Sequence, residues 1–153
     1  MSSPARRPLP FFAAALLAAC AIGPNTSYVS GLRQPSDVQV LTNGLAELVS
    51  LRLPLGSGMI VLDPTPADQS GNAFTEALVS ALQLRGFAVA RDTPSVAANA
   101  HHVRYLITSL DNGDLARLTI DGTAELSQFF VRDDAGDLEP GGPITLTQAE
   151  IMR

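Results

Sequence analysis

The sequence predicts one small α+β domain: two helices packed on a mixed, largely antiparallel sheet, with a strand-helix-strand unit followed by a hairpin meander. Three observations carry that prediction. Residues 35–39 form a helix start, and a helical stripe of apolar residues follows them. Two short apolar runs, at 59–62 and 87–90, flank a second segment of helical spacing. From Val103 onward, alternating residues are interrupted by Asn112-Gly113 and Asp121-Gly122, the residue pairs that favour tight hairpin turns.

Ahead of the domain, Arg6-Arg7 precedes an apolar run over residues 9–19, and small residues lead to Cys20. A short basic segment, an apolar core and small residues before a cut site are the parts of a secretory signal peptide. A helix of roughly 11 residues spans ~16 Å, against a hydrocarbon core of ~30 Å, so the run is too short for a permanent anchor. Pro10 weakens it further. Leu17-Ala18-Ala19-Cys20 looks like the lipobox of bacterial lipoproteins, in which the cysteine is acylated and becomes the mature N-terminus. The plainer reading is an ordinary leader with an inert cysteine nearby. Cys20 is the only cysteine of the chain, so an exported protein would have no disulfide partner for it. Acylation by fatty chains of the palmitate class gives that thiol a reason to exist. Each buried methylene contributes ~0.8 kcal/mol, so several chains hold firmly where one binds reversibly.

The organisation that follows is a signal peptide over 1–19, a lipidated tether over 20–34 and a periplasmic α+β domain over 35–153. Residues 21–34 show no clear period and contain Gly, Pro, Asn and Ser, as a flexible spacer does. The alternative is that Tyr28 and Val29 dock on the domain, or on a partner, as an irregular strand. Both readings stay open.

At the first helix, Ser36 is placed to accept from the amide three residues on, with Gln39 reaching back as in a capping box. Val38, Leu41, Leu45 and Leu48 form the stripe, widened by Val49 and Leu51, and Pro54 and Gly56 end it. Gly44 in mid-helix costs up to ~1 kcal/mol relative to alanine. Met59–Leu62 is a continuous apolar run, read as an internal strand, and 65–72 is a polar loop. Phe74, Leu78, Ala81 and Leu82 recur at helical spacing until Gly86 stops them, and 87–90 is the next strand. Residues 91–102 read as a polar, alanine-rich connection. Residues 103–110, 115–120 and 124–131 are the meander strands. In the middle one Ala116, Leu118 and Ile120 share one side and Leu115, Arg117 and Thr119 the other. Residues 132–137 form a solvated loop, and 144–147 are expected to close the sheet at an edge.

Composition removes whole chemistries. Every basic side chain is arginine; without lysine there is no P-loop, no Schiff base and no Ser-Lys dyad. Losing Arg6 and Arg7 with the leader takes the formal charge from −5 to −7, which suits neither phosphate backbones nor anionic surfaces. Nucleic-acid binding is therefore not expected. His101-His102 point apart on an extended chain and make a poor metal site; they read as exposed loop histidines. Asp133-Asp134-Ala135-Gly136-Asp137-Leu138-Glu139 lacks the alternate acids and twelfth-position glutamate of a calcium loop. No Gly-x-Ser-x-Gly elbow occurs. No catalytic residue, metal or cofactor is assigned, and the chain reads as a non-enzyme.

The pieces in order resemble the TrbH family, lipoprotein components of the Trb-type conjugal transfer apparatus, a type IV secretion system. The resemblance runs from the lipobox at Cys20 through Leu48 and Pro54-Leu55-Gly56 to Phe74-x-x-x-Leu78 and Leu82-x-x-x-Gly86-Phe87-Ala88-Val89. It continues at Tyr105, Leu115-Ala116-Arg117-Leu118 and Pro140-Gly141-Gly142-Pro143-Ile144, covering about residues 16–147. It implies a structural subunit of the mating-pair formation channel, held at the outer membrane through Cys20, facing the periplasm and contacting other channel subunits. Ala21, where aspartate would signal inner-membrane retention, agrees with the outer membrane. A general envelope-assembly or peptidoglycan-associated lipoprotein is the competing class. A periplasmic hydrolase would need an acid-base constellation that the sequence does not display.

Overall fold

The computed structural model describes residues 26–63, 65, 71–91 and 99–148. The elements are β1 (Tyr28–Val29), α1 (Pro35–Arg52), β2 (Met59–Leu62), α2 (Gly71–Leu84), β3 (Ala88–Arg91), β4 (Ala100–Leu110), β5 (Gly113–Ile120), β6 (Ala124–Arg132), β7 (Leu138–Pro140) and β8 (Thr145–Gln148). They form the α+β domain that the sequence predicts, with both helices packed on a mixed sheet.

The sheet runs β3-β2-β4-β5-β6-β7, parallel as far as β4 and antiparallel from there. β4 carries two parallel neighbours on one edge: β2 pairs with Ala100–Val103, and β1 with Leu106 and Ile107. At the far side β6 is likewise shared, by β7 and β8. Thus Tyr28 and Val29 take the docked alternative, and the folded body starts by Ser27 instead of at Pro35. A two-residue strand has little pairing energy of its own, so side chains must fasten it, as shown below.

α1 lies over β5, β6 and β7, and α2 over β3 and β1. Leu41, Leu45, Leu48 and Val49 of α1 meet Phe74, Leu78 and Leu82 of α2 above Val103, Tyr105, Ile107, Ala116 and Leu118, all fully buried. Burying a side chain of this size contributes about 1.5–3 kcal/mol, so this layer is what commits the helices to the sheet. The side of β5 holding Ala116, Leu118 and Ile120 is the inner one, as the alternation requires. The ring of Phe74 packs against that of Tyr105, centroids 5.4 Å apart.

Local details depart from expectation for identifiable reasons. α1 starts earlier: Gln34 is its N-cap and Pro35 occupies the first position, where its fixed φ and missing N–H are harmless. The residue reaching back is therefore Asp37, accepting from the Gln34 N–H at 2.9 Å, in place of Gln39. α2 likewise starts at Gly71, inside the expected loop. β4 begins at Ala100, so both histidines are strand residues, and Leu138–Pro140 adds a strand that the charged loop concealed. In the first hairpin the turn residues are Asp111 and Asn112, because Leu110 pairs with Gly113. Gly113 serves proximity: a Cβ there would overlap the Phe130 carbonyl of β6. The left-handed pair sits at the second turn, Asp121 at φ 51° and Gly122 at φ 67°, closed by Thr123 N–H donating to Ile120 O at 3.1 Å.

Candidate functional site

Leu17, Ala18, Ala19 and Cys20 lie outside the described residues; the structure shows how the chain next to them is held. Tyr105 N–H donates to Ser27 Oγ at 3.3 Å. Ser30 N–H and Oγ–H both donate to Ile107 O at 3.0 Å, and Ser109 N–H donates to Ser30 Oγ at 2.8 Å. Ser109 Oγ–H reaches Gly31 O at 3.0 Å, and the Arg33 guanidinium reaches Leu110 O at 3.1 Å. The segment from Ser27 to Arg33 is thereby stitched along β4. A pull on the N-terminus would load the centre of the sheet.

The stitching ends in a buried ionic cluster. Arg132, at the end of β6, binds Asp37 at the start of α1 through two parallel bonds of 3.0 and 2.7 Å. The same guanidinium reaches Asp114 of β5 at 3.0 Å and Gly136 O at 2.9 Å. Asp37 also accepts from the Arg33 and Gln34 N–H groups, and Asp114 from Ser109 Oγ–H. Both carboxylates are buried. Burial alone would push the Asp37 carboxyl up. The Arg132 hydrogen bonds, the two backbone N–H donors and the Arg132 charge outweigh it and hold the group below its ordinary range. The hydrogen bonds it donates to Asp37 do most to raise Arg132, against burial, with both aspartate charges adding to them. The cluster is a fastener in which α1, β5, β6 and the following loop meet. No spacing signal announces a pairing across 95 positions, so sequence reading missed it.

The histidines, read as exposed loop residues, are strand residues beside carboxylates; His102 is exposed as expected, and His101 is half-buried. His101 Nδ1 lies 2.8 Å from Asp121 Oδ2, and His102 Nδ1 lies 3.4 Å from Asp63 Oδ1. Asp121 Oδ1 also accepts the His102 N–H at 2.8 Å. An imidazole oriented by aspartate is one part of a general-base arrangement. Here the Asp121 carboxylate spans a side chain and a backbone amide, tying the β5–β6 turn to the start of β4. Asp63 lies just after β2, so the second pair bridges β2 and β4. Among the described residues, no group of three or more His, Cys, Asp or Glu could hold a metal ion. In the acidic loop, Asp133 Oδ1 accepts the N–H groups of Ala135 and Asp137 at 2.9 Å each. Those bonds, with Gly136 at φ 89°, shape the turn into β7.

Of the residues that carried the family resemblance, Leu48, Phe74, Leu78, Leu82, Phe87, Tyr105, Ala116 and Leu118 are buried, whereas Pro54-Leu55-Gly56 and Pro140-Gly141-Gly142-Pro143 are exposed. No helix of the described residues is long and apolar enough to cross a membrane. A family model, conjugal transfer protein TrbH, matches residues 23–150. No curated protein and no solved structure matches the chain.

Proposed function

The chain belongs to the TrbH family of conjugal transfer proteins, and from that premise we propose that it is a lipid-anchored structural subunit of the mating-pair formation channel. In this reading Cys20 is acylated at the outer membrane and the α+β body faces the periplasm, in contact with other subunits of the apparatus. The protein contributes position and no catalysis. The observation that carries the anchor is the sole cysteine ending Leu17-Ala18-Ala19-Cys20. Its neighbourhood supports the reading: the chain is fastened into the sheet from Ser27 on, so an anchor at Cys20 transmits force to the whole body.

Cys20→Ser tests it. The variant is expected to lose fatty-acid labelling and to remain unprocessed or to leave the membrane fraction. Unchanged fractionation would remove the anchor. Co-purification of the lipidated protein with other channel subunits tests the structural role; a protein recovered alone under conditions that preserve the channel would count against it.

A further inference from the structure

A strand at the edge of a sheet presents outward N–H and C=O groups that pair with water or with another strand. Of the edge strands here, β1 is two residues long, β3 ends in Arg91, and β7 carries Glu139 and Pro140. Shortness, charge and proline are the ordinary guards against pairing between chains. β8 has no charge and no proline. Thr145-Leu146-Thr147-Gln148 is exposed at every residue. Among the described residues its only strand neighbour is β6, met antiparallel between Ala124 and Ser127.

The side chains of β8 select the strand that fits. Leu146 stands opposite Leu126; Leu126 is buried, while Leu146 is 52% exposed. Ile144, two positions earlier, packs against the core. The apolar layer therefore reaches the sheet edge and stops at a half-covered leucine. Thr145-Leu146-Thr147 is the same in both directions. An antiparallel two-fold placed on Leu146 sets that leucine beside its own copy, and Thr145 opposite Thr147 on either side. Apolar and threonine pairs directly opposite are favourable, and like charges directly opposite are not. With 15 acidic residues against 10 basic ones, two copies of this chain repel on average. β8 brings no charge to the junction.

We infer that β8 is a self-pairing edge: two copies of the chain join antiparallel through it, with the two-fold at Leu146, into one continuous sheet. A strand this short buries less than the roughly 1,200 Å² at the lower limit of standard interfaces, so the dimer is weak and forms where the protein is concentrated. Nothing in the pairing requires an acylated Cys20, although confinement to a membrane would raise the local concentration.

Disulfide trapping in the full-length chain tests it. Cys20 is the only cysteine, so a Cys20→Ser background leaves each introduced thiol alone. In detergent, under mild oxidation, Leu146→Cys is expected to give a covalent dimer. Leu84→Cys, more exposed at 88% but on the helix over β3 and β1, is not. A mixture of Thr145→Cys and Thr147→Cys should cross-link far more than either variant alone. Adding Leu146→Lys to both sets two ammonium groups face to face and should abolish that product, with the urea midpoint unchanged because the position is exposed. Leu84→Cys cross-linking as strongly as Leu146→Cys overturns the inference, since random collision then explains both. Thr145→Cys alone matching the mixture overturns the two-fold at Leu146. Absence of product at every β8 position overturns the inference outright, and a β8 product joined to a different protein removes the second copy as the occupant.

Discussion

Gly44 packs under the ring of Phe130, and a Cβ added there would overlap that ring. Helix propensity alone favours alanine by up to ~1 kcal/mol. Forcing a methyl into a closed helix–sheet contact costs about 1–3 kcal/mol, so the net sign is destabilising. Gly44→Ala is expected to lower the urea midpoint; a raised midpoint would show that Phe130 yields freely. Arg132 and Asp37 pose the electrostatic version of the same question. Asp37→Asn leaves a buried guanidinium short of a counter-charge and is expected to cost about 3–5 kcal/mol. The pH dependence has a definite sign. Asp37 has a lowered folded-state pKa, so its contribution is fully present above the unfolded value of 3.8 and is lost as pH falls through the folded value. Wild type should therefore lose more stability than Asp37→Asn between pH 6 and pH 3. Parallel losses in urea titrations would mean that the cluster does not control acid unfolding.

At the scale of the element, the two glycines of the hairpins do different jobs. Gly122 has φ 67° and open space where a side chain would go, so Gly122→Ala incurs only the left-handed cost of roughly 1–2 kcal/mol. Gly113 has no positive φ, but a Cβ would strike the Phe130 backbone of the neighbouring strand. Gly113→Ala should therefore be the more damaging change, in thermal melts, and the reverse order would return Gly113 to a turn role. α2 offers a plainer test. Leu82 is completely buried, and Leu82→Ala is expected to cost ~2–5 kcal/mol; a loss below ~1 kcal/mol would mean that this face relaxes into the cavity. Asn112-Gly113 correctly announces a hairpin in the sequence. Which of its residues turn and which pair depends on how closely β6 approaches.

Across the whole molecule, protection should follow the sheet from its centre outward. β4 and β5 are hydrogen-bonded on both edges and roofed by the helices, whereas β8 pairs only with β6 and is exposed at every residue. Native-state hydrogen exchange of the dilute monomer is expected to be slowest in β4 and β5 and fastest in β8. Equally slow exchange in β8 would point to a partner covering that edge.

Periodicity and turn chemistry, which depend on neighbours within a few positions, are visible along a chain. They determined the α+β class, both helices, the strand-helix-strand unit, the inner side of β5 and the buried helix residues Leu41, Leu45, Leu48, Phe74, Leu78 and Leu82, whereas Leu51, expected on the same stripe, stands exposed. Contacts between distant segments leave no such trace. The docking of Tyr28 and Val29 on β4, the Arg132–Asp37–Asp114 fastener and the carboxylate partners of the two histidines arise only when the chain closes. Only the tertiary structure decided those, because what fixes each is proximity in space between residues tens of positions apart.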